Sequence, residues 1–310
     1  MKFTQIYEAL NKANKIAIFV HINPDADCIG SAVALGGYLQ NINKSVDFFC
    51  DDDIHSNFSV IGGEFKKELN GDYDLLVAVD CADVLRIGKF SRVFREHNNT
   101  INIDHHSTNT NFAKINYVTS EVSNTINIFE MFNDFEVKID KNIATAIYAG
   151  IIGDTGGLSY GELSPKVFNI VAELIGYDID FDNILYNLLR KRSFNQVKLL
   201  QLALGSLCVE GDFASMVITL KDFEQTNTSS LDVFGFVNFA VNIDKVEVAV
   251  CLCEYEPNKF QVSIRSKGVV DACKIASAFG GGGHKKASGC RIFGRSDKAI
   301  KKFKQVVKSL

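Results

Sequence analysis

The first part of the chain alternates apolar runs with longer stretches of mixed polarity. Near-continuous apolar runs predict strands at 15–22, 45–50, 74–80 and 100–104, because strands buried on both faces of a parallel sheet carry few polar residues. Longer amphipathic or small-residue segments predict helices at 30–40, 123–132, 142–154, 164–176 and 181–190. This order predicts an α/β domain with a mainly parallel sheet covered by helices.

The pattern changes after residue 210. Strand-like runs occur at 214–220, 245–255, 260–266 and 288–293, with helices expected near 229–242 and 270–279. We therefore predict a smaller C-terminal α/β domain with its own sheet. The predicted domains are residues 1–186 and 211–310, joined by a helical connector at 187–210.

Composition indicates an ordinary soluble protein, with 46% hydrophobic and 23% charged residues. No apolar run approaches the roughly 20 residues of a membrane span, and the first residues lack the pattern of a secretory signal. The eight cysteines form no Cys-x-x-Cys pair, which favours reduced thiols over a zinc site or disulfides. We expect a cytoplasmic protein that does not bind membranes.

The charge is unevenly distributed along the chain. The net charge is -4, yet residues 259–310 contain 13 Lys or Arg and only two acidic residues. An amphipathic terminal helix explains part of this basic character. The remainder fits a protein that holds metal cations in one region and binds phosphate in another.

Acidic and histidine residues follow several predicted strands. His21, Asp25 and Asp27 lie in HINPDADCIGS directly after the first strand, and Asn23-Pro24 predicts the turn that would bring them together. Asp80 ends the strand at 74–80, Asp104-His105-His106 follow at 104–106, and Asp154 lies in GIIGDTG. Ligands bind at the carboxyl ends of strands in open α/β sheets.

Each of these residues alone is more often a helix cap, a turn former or a surface histidine. Together they suggest a cation site, because clustered acids repel one another unless a cation neutralises them. Mixed imidazole and carboxylate ligands suit Mn²⁺ or a similar ion, and purely oxygen sites suit Mg²⁺. The donors suffice for two metals if one aspartate bridges.

A second dense motif is FGGGGHKKASG at 279–289. Consecutive glycines allow a backbone to approach a ligand closely and to present N–H groups to an anion, although a flexible loop is the simpler interpretation. His284 closes the glycine run, and Arg265 and Lys267 belong to the same predicted domain. We favour phosphate binding here.

These motifs resemble the DHH phosphoesterase superfamily, in its DHH–DHHA1 branch, and within it the short bacterial oligoribonucleases (nanoRNases). The resemblance rests on HINPDAD (21–27), VD (79–80), DHH (104–106), GD (153–154) and GGGGHKKASG (280–289), in matching order. Lys285 and Lys286 depart from the small or Asn residue that often follows the glycine-loop histidine, which bears on substrate preference.

The resemblance implies a role for each residue. One metal would be held by His21, Asp25 and Asp80, and the other by Asp27, Asp80, His105 and Asp154, with Asp80 as the bridge. His106 would contact the scissile phosphate, and Asp104 would orient a histidine. The implied substrate-binding residues are Arg265, Lys267, Gly282, Gly283, His284 and, with less support, Ser31.

The implied activity is hydrolysis of short oligoribonucleotides to mononucleotides, of 3′-phosphoadenosine 5′-phosphate to AMP, or of both. Two divalent ions are expected, Mn²⁺ in the first place and Mg²⁺ or Co²⁺ as alternatives. The expected partners are short RNA or phosphorylated nucleotides rather than long duplex DNA, and a homodimer remains open. The alternatives are a linear or cyclic dinucleotide phosphodiesterase, or a non-catalytic nucleotide-binding regulator.

Overall fold

The computed structural model describes residues 3–310, which form two compact units, the first ending at Lys191 and the second beginning at Arg192. The boundary lies within the segment predicted as the connector. No helix among residues 3–310 has both the length and the apolar character needed to cross a membrane.

The first unit is built around a six-stranded sheet in which every neighbouring pair is parallel. The spatial order is β3-β2-β1-β4-β5-β6. Its strands are β1 (Lys15–Phe19), β2 (Ser45–Phe49), β3 (Phe65–Lys66), β4 (Leu75–Val79), β5 (Thr100–Asp104) and β6 (Ile115–Val118). The strand order reverses between β1 and β4, and open α/β sheets bind ligands at the carboxyl ends of the strands beside such a reversal.

Helices cover both faces of this sheet. They are α1 (Thr4–Lys12), α2 (Ala26–Asn41), α3 (Ser91–Glu96), α4 (Asn124–Asp134), α5 (Lys141–Asp154), α6 (Pro165–Ile175) and α7 (Phe181–Leu185). Alternate residues of β1 point to opposite faces: Ile16 and Ile18 pack with α2, α4 and α5, whereas Ala17 and Phe19 pack with Phe90 and Phe94. The predicted parallel sheet covered by helices is confirmed.

The second unit contains a mixed six-stranded sheet in the order β11-β12-β10-β9-β8-β7, in which only the β8–β9 pair is parallel. Its strands are β7 (Cys208–Glu210), β8 (Phe213–Ile218), β9 (Val248–Glu256), β10 (Lys259–Ser266), β11 (Gly282–Gly283) and β12 (Ala287–Phe293). Its helices are α8 (Phe194–Gly205), α9 (Leu220–Thr226), α10 (Phe236–Val241), α11 (Ala272–Ser277) and α12 (Ser296–Ser309). The predicted smaller α/β region is confirmed.

Several elements differ from the pattern-based predictions. The strand predicted at 15–22 ends at Phe19, because residues 20–22 leave the sheet toward the cluster described below. The helix predicted at 181–190 changes after Leu185 into a single π-helical turn, Tyr186–Arg190. The helix predicted near 229–242 is interrupted at Gly235, whose positive φ of 79° separates a 3₁₀ turn from α10.

Candidate dimetal site

The ends of three neighbouring strands supply the centre of the site. His21 follows β1 by two residues, Asp80 comes directly after β4, and His105 comes directly after β5. Since β1, β4 and β5 are adjacent and parallel, their carboxyl ends lie at one edge of the sheet. His21 and Asp80 therefore follow the two strands between which the strand order reverses.

Two helices complete the cluster from above this edge. Asp25 is the N-cap of α2 and Asp27 lies in its first turn, whereas Asp154 is the last residue of α5. Helices α2 and α5 pack closely along small residues. A Cβ atom at Gly150 would lie 2.7 Å from Asp27 Oδ1, so glycine at this position leaves the Asp27 carboxylate its space.

Asp80 connects the two histidines through its two carboxylate oxygens. Its Oδ1 lies 3.2 Å from His105 Nε2, and its Oδ2 lies 3.5 Å from His21 Nε2. His21 Nε2 is also 3.5 Å from Asp25 Oδ2. His105 Nε2 is 3.5 Å from Asp154 Oδ2 and 3.7 Å from Asp27 Oδ2. The six donors thus form two overlapping groups that share Asp80.

Both histidine rings are oriented by backbone carbonyls. His21 Nδ1 lies 2.9 Å from the carbonyl oxygen of Ile22, and His105 Nδ1 lies 2.8 Å from that of Glu121. A ring that donates its Nδ1 proton to a carbonyl keeps the lone pair on Nε2. In both rings Nε2 is the atom that faces the carboxylates. For His105 the Glu121 carbonyl favours the tautomer that a metal ligand requires, whereas His21 Nδ1 lies beside both a carbonyl oxygen and Arg86 Nη2.

Burial and neighbouring negative charge disfavour the charged forms of Asp27 and Asp154, whereas the histidines lower the pKa values of Asp25 and Asp80. Burial, followed by the charge of Asp80, raises the pKa of Asp27 to about 6. Burial, followed by the charges of Asp27 and Asp25, raises the pKa of Asp154 well above its usual range. Asp80 Oδ1 is buried and accepts no hydrogen bond from the described residues. These donors fit divalent cations, which would relieve the repulsion and occupy the unused oxygen.

Asp27 is fixed by the first residues of α4, which no local sequence pattern links to it. Ser123 Oγ donates to Asp27 Oδ1 (2.7 Å), and the N–H groups of Asn124 and Thr125 donate to Oδ2 and Oδ1 (2.5 and 3.0 Å). These donors form the N-terminus of α4, whose partial positive charge favours a carboxylate. Ser123 and α4 therefore position a candidate metal ligand.

His106 lies at the edge of the cluster and is held by a chain of buried side chains. Its Nδ1 lies 2.8 Å from Asp104 Oδ1 and 3.5 Å from Asp80 Oδ1. Asn109 Nδ2 donates to Asp104 Oδ2 (2.5 Å) and to Asn102 Oδ1 (2.8 Å). Asp104 is fully buried, whereas the His106 side chain is 17% exposed. The buried carboxylate of Asp104 thus fixes the orientation of a partly exposed ring beside Asp80.

Sequence reasoning missed Arg86. Arg86 Nη2 lies 3.2 Å from His21 Nδ1, and the carbonyl oxygen of Arg86 accepts the N–H of Ile22 (2.7 Å). Ser31 is fully buried, and its hydroxyl accepts a hydrogen bond from Asn124 Nδ2 (3.0 Å). Ser31 thus connects α2 and α4, and its role as a phosphate contact stays a prediction.

In the second unit, the glycine motif and Arg265 meet at one end of the sheet. Arg265 pairs with Ala287 in the β10–β12 register, and the N–H of His284 donates to the carbonyl of Ala287 (2.7 Å). Gly282 has open space where a Cβ would lie, whereas Gly283 has φ 138° and lies close to Ala287 and Ser288. Lys267 is exposed, and its Nζ donates to the carbonyl of Ile243 (2.9 Å).

Comparison with known proteins identifies both units. Residues 15–151 match the DHH family, N-terminal domain, and residues 213–309 match the DHHA1 domain. The chain therefore contains a DHH domain followed by a DHHA1 domain. The DHH motif itself is Asp104-His105-His106, in which His105 faces the cluster and Asp104 orients His106.

Curated DHH relatives align along most of the chain. The bifunctional oligoribonuclease and PAP phosphatase NrnA of Thermus thermophilus is 29% identical, over 94% of this chain and 89% of the relative. A probable protein of the same name from Streptococcus mutans is 27% identical, over 94% of each chain. The crystal structure of an exopolyphosphatase-related protein from Bacteroides fragilis has a TM-score of 0.88 and 26% identity, covering 99% of this chain and 95% of that one.

Removal of divalent ions should destabilise the first unit. A ligand at 100 times its Kd stabilises a protein by about 2.7 kcal/mol, so chelation should lower Tm by about 5–10 °C for a unit of this size. Differential scanning calorimetry with EDTA and with excess Mn²⁺ measures the difference. In Asp154→Asn most of this difference in Tm should disappear. Asp178→Asn, which changes a fully exposed side chain, should keep the wild-type difference. Equal Tm values under both conditions would contradict metal binding at this cluster.

Proposed function

We propose that this protein is a metal-dependent phosphoesterase that hydrolyses short oligoribonucleotides, about two to five nucleotides long, to mononucleotides. We further propose that it converts 3′-phosphoadenosine 5′-phosphate to AMP. The observation that carries this proposal is the arrangement of six imidazole and carboxylate donors around Asp80 at the switch point of the DHH sheet. The names of the relatives supply the substrate class.

The proposed ligand groups follow the observed distances. His21 and Asp25 surround one side of Asp80, while Asp27, His105 and Asp154 surround the other, with Asp80 shared. Imidazole nitrogen mixed with carboxylate oxygen supports Mn²⁺ as the ion, with Mg²⁺ or Co²⁺ as substitutes. Two such ions would activate water as the nucleophile and stabilise charge on the phosphoryl oxygens.

The remaining groups of the site would orient the phosphate. In its imidazolium form, His106 would donate from Nδ1 to Asp104 and from Nε2 to a phosphoryl oxygen. Asp104 and Asn109 fix the direction of that donor. Burial of Asp27, Asp80 and His105 limits competing water, which strengthens each of these interactions.

Substrate selection is assigned to the second unit. Arg265 is positioned by its strand register beside Ala287, which also fixes the backbone of His284, and Gly282 has open space where a side chain would lie. We propose that these residues, with Gly283 and Lys267, bind a terminal phosphate and the adjoining nucleotide. These contacts involve only the terminal phosphate and the adjoining nucleotide, so further nucleotides in a longer strand would add little binding energy. Both substrate types arise in the cytoplasm, where we place the protein.

A substrate panel with Mn²⁺ tests this proposal. We expect kcat/KM for RNA dimers to pentamers to exceed that for a strand of about 20 nucleotides by about tenfold or more, because the long strand exceeds the usual site size of about 4–16 nucleotides. The panel includes 3′-phosphoadenosine 5′-phosphate, a cyclic dinucleotide and pyrophosphate. Equal kcat/KM for the dimer and the 20-mer would reject the short-fragment assignment. Hydrolysis of the cyclic dinucleotide alone would favour the phosphodiesterase alternative.

A further inference from the structure

The His21 side of the cluster contains a sulfur atom that the proposed function does not use. Cys28 lies one turn into α2, and its Sγ is within 4.8 Å of donor atoms of His21 and Asp25, which are also within that distance of each other. The Cys28 side chain is fully buried. We propose that His21, Asp25 and Cys28 form a site for thiophilic divalent ions such as Zn²⁺ or Cd²⁺, which competes with Mn²⁺ at one half of the cluster.

The three donors match the chemistry of these ions. Zinc is bound by nitrogen, oxygen and thiolate ligands, most often four in tetrahedral geometry, and a water molecule can supply the fourth. Mn²⁺ prefers oxygen and imidazole and gains little from a thiol. Cys28 therefore changes the metal selectivity of the site without being needed by the proposed reaction. This inference rests on the proposed function only in assigning His21 and Asp25 as metal ligands.

The backbone around Cys28 supplies hydrogen-bonding partners to its sulfur, although burial raises the pKa of the thiol to about 12. The N–H of Asp25 donates to Cys28 Sγ (3.3 Å), and Sγ–H in turn donates to the carbonyl oxygen of Asp25 (3.4 Å). Cys28 also occupies the N3 position of the 16-residue helix α2, where the helix dipole stabilises negative charge. When the metal binds, the thiol proton leaves to solvent, the sulfur–metal bond forms, and the N–H donation from Asp25 remains.

The relative affinities of the ions predict that Zn²⁺ or Cd²⁺ displaces Mn²⁺ rather than the reverse. Affinity for nitrogen, oxygen and sulfur ligands rises from Mn²⁺ to Zn²⁺ among the divalent metals, and the thiolate adds to that difference. Zn²⁺ or Cd²⁺ should therefore displace Mn²⁺ from the His21 side and inhibit hydrolysis. His105 and Asp154 lie on the other side of Asp80, away from this group.

Absorption spectroscopy with Cd²⁺ and Co²⁺ tests the sulfur ligand directly, because metal–thiolate bonds give charge-transfer bands that oxygen and nitrogen ligands do not. All proteins carry Cys208→Ser, since the exposed thiol of Cys208 would bind these ions by itself. We expect one band per protein molecule, lost in Cys28→Ala and in Cys28→Ser. The matched control is Cys81→Ala, which removes another buried thiol, one that donates to the carbonyl of Val79.

The outcomes separate this inference from the proposed function. Loss of the band in both Cys28 variants but not in Cys81→Ala supports the site, as does weaker inhibition by Cd²⁺ in the Cys28 variants. A band of equal strength in a folded Cys28 variant, or no band in the parent protein, overturns it. If hydrolysis depends on Mn²⁺ but no band appears, the proposed function is supported and the Cys28 site is rejected. A Cys28-dependent band without hydrolysis of any panel substrate rejects the proposed function only.

Discussion

Replacing Asp80 by Asn should reduce kcat by about a thousandfold or more, the scale seen when a central catalytic group is removed. Asp80 is the carboxylate whose two oxygens face His21 and His105 separately, so an amide would lose the negative charge that both metals share. The fold should survive, since Asp80 has a positive φ of 56° and asparagine tolerates that backbone conformation as well as aspartate does.

Three measurements on purified Asp80→Asn establish the cause. Circular dichroism should match the wild type, Mn²⁺ content by mass spectrometry should fall, and hydrolysis of an RNA dimer should disappear. Asp72→Asn, at an exposed position before β4, serves as the matched control and should behave as wild type. More than a few per cent of wild-type activity in a folded Asp80→Asn protein would exclude Asp80 as the bridging ligand.

His106→Gln should lower kcat by about 10²–10⁴-fold, the usual contribution of a positioned proton donor or acceptor, while Mn²⁺ content stays unchanged. The ring is held by Asp104 and its exposed side is available to substrate, so its removal affects the reacting phosphate rather than the metal ligands. Loss of Mn²⁺ from His106→Gln would instead make His106 a metal ligand.

Asn109 provides a graded comparison for His106. Asn109→Ala removes the donor to Asp104 Oδ2 but leaves the Asp104–His106 contact in place. We therefore expect a loss in kcat of about tenfold, in the range of one hydrogen bond to a charged group, with a smaller change in KM. Asn111→Gly, at an exposed position two residues away, fits the positive φ of 51° at that residue and controls for local disturbance of the loop.

The centre of the site could be predicted from the sequence because the first unit is a parallel sheet. Apolar runs ending in His21, Asp80 and Asp104-His105-His106 indicated strands, and parallel strands bring their carboxyl ends to one edge. No knowledge of side-chain contacts was needed for that step. The roles that the DHH resemblance implied for these residues remain predictions that the mutants above test.

Other features depended on contacts that no local pattern records. Asp27 accepts its hydrogen bonds from Ser123, Asn124 and Thr125, almost a hundred residues away, and nothing in the spacing of these residues links them. Ser31 lies on the buried face of α2, and only the packing of α4 shows that its hydroxyl is taken by Asn124. The spacing of the cysteines does not distinguish Cys28 from the other thiols. Cysteine spacing predicts a metal site only when other cysteines are ligands, and it gives no information about His or Asp neighbours.

The glycines at 280–283 are not equivalent, and this has a consequence for how natural variation in DHHA1 domains is interpreted. Side chains at Gly281 and Gly283 would collide with Gly289 and with Ala287 and Ser288 of β12, whereas Gly280 and Gly282 face open space. If glycine is retained at 281 and 283 in evolution, the close approach of this segment to β12 is a sufficient reason, and the retention is no evidence for a ligand. Position 282 is the informative one: glycine kept there across distant lineages, with no packing reason to keep it, would be the mark of selection by a bound phosphate.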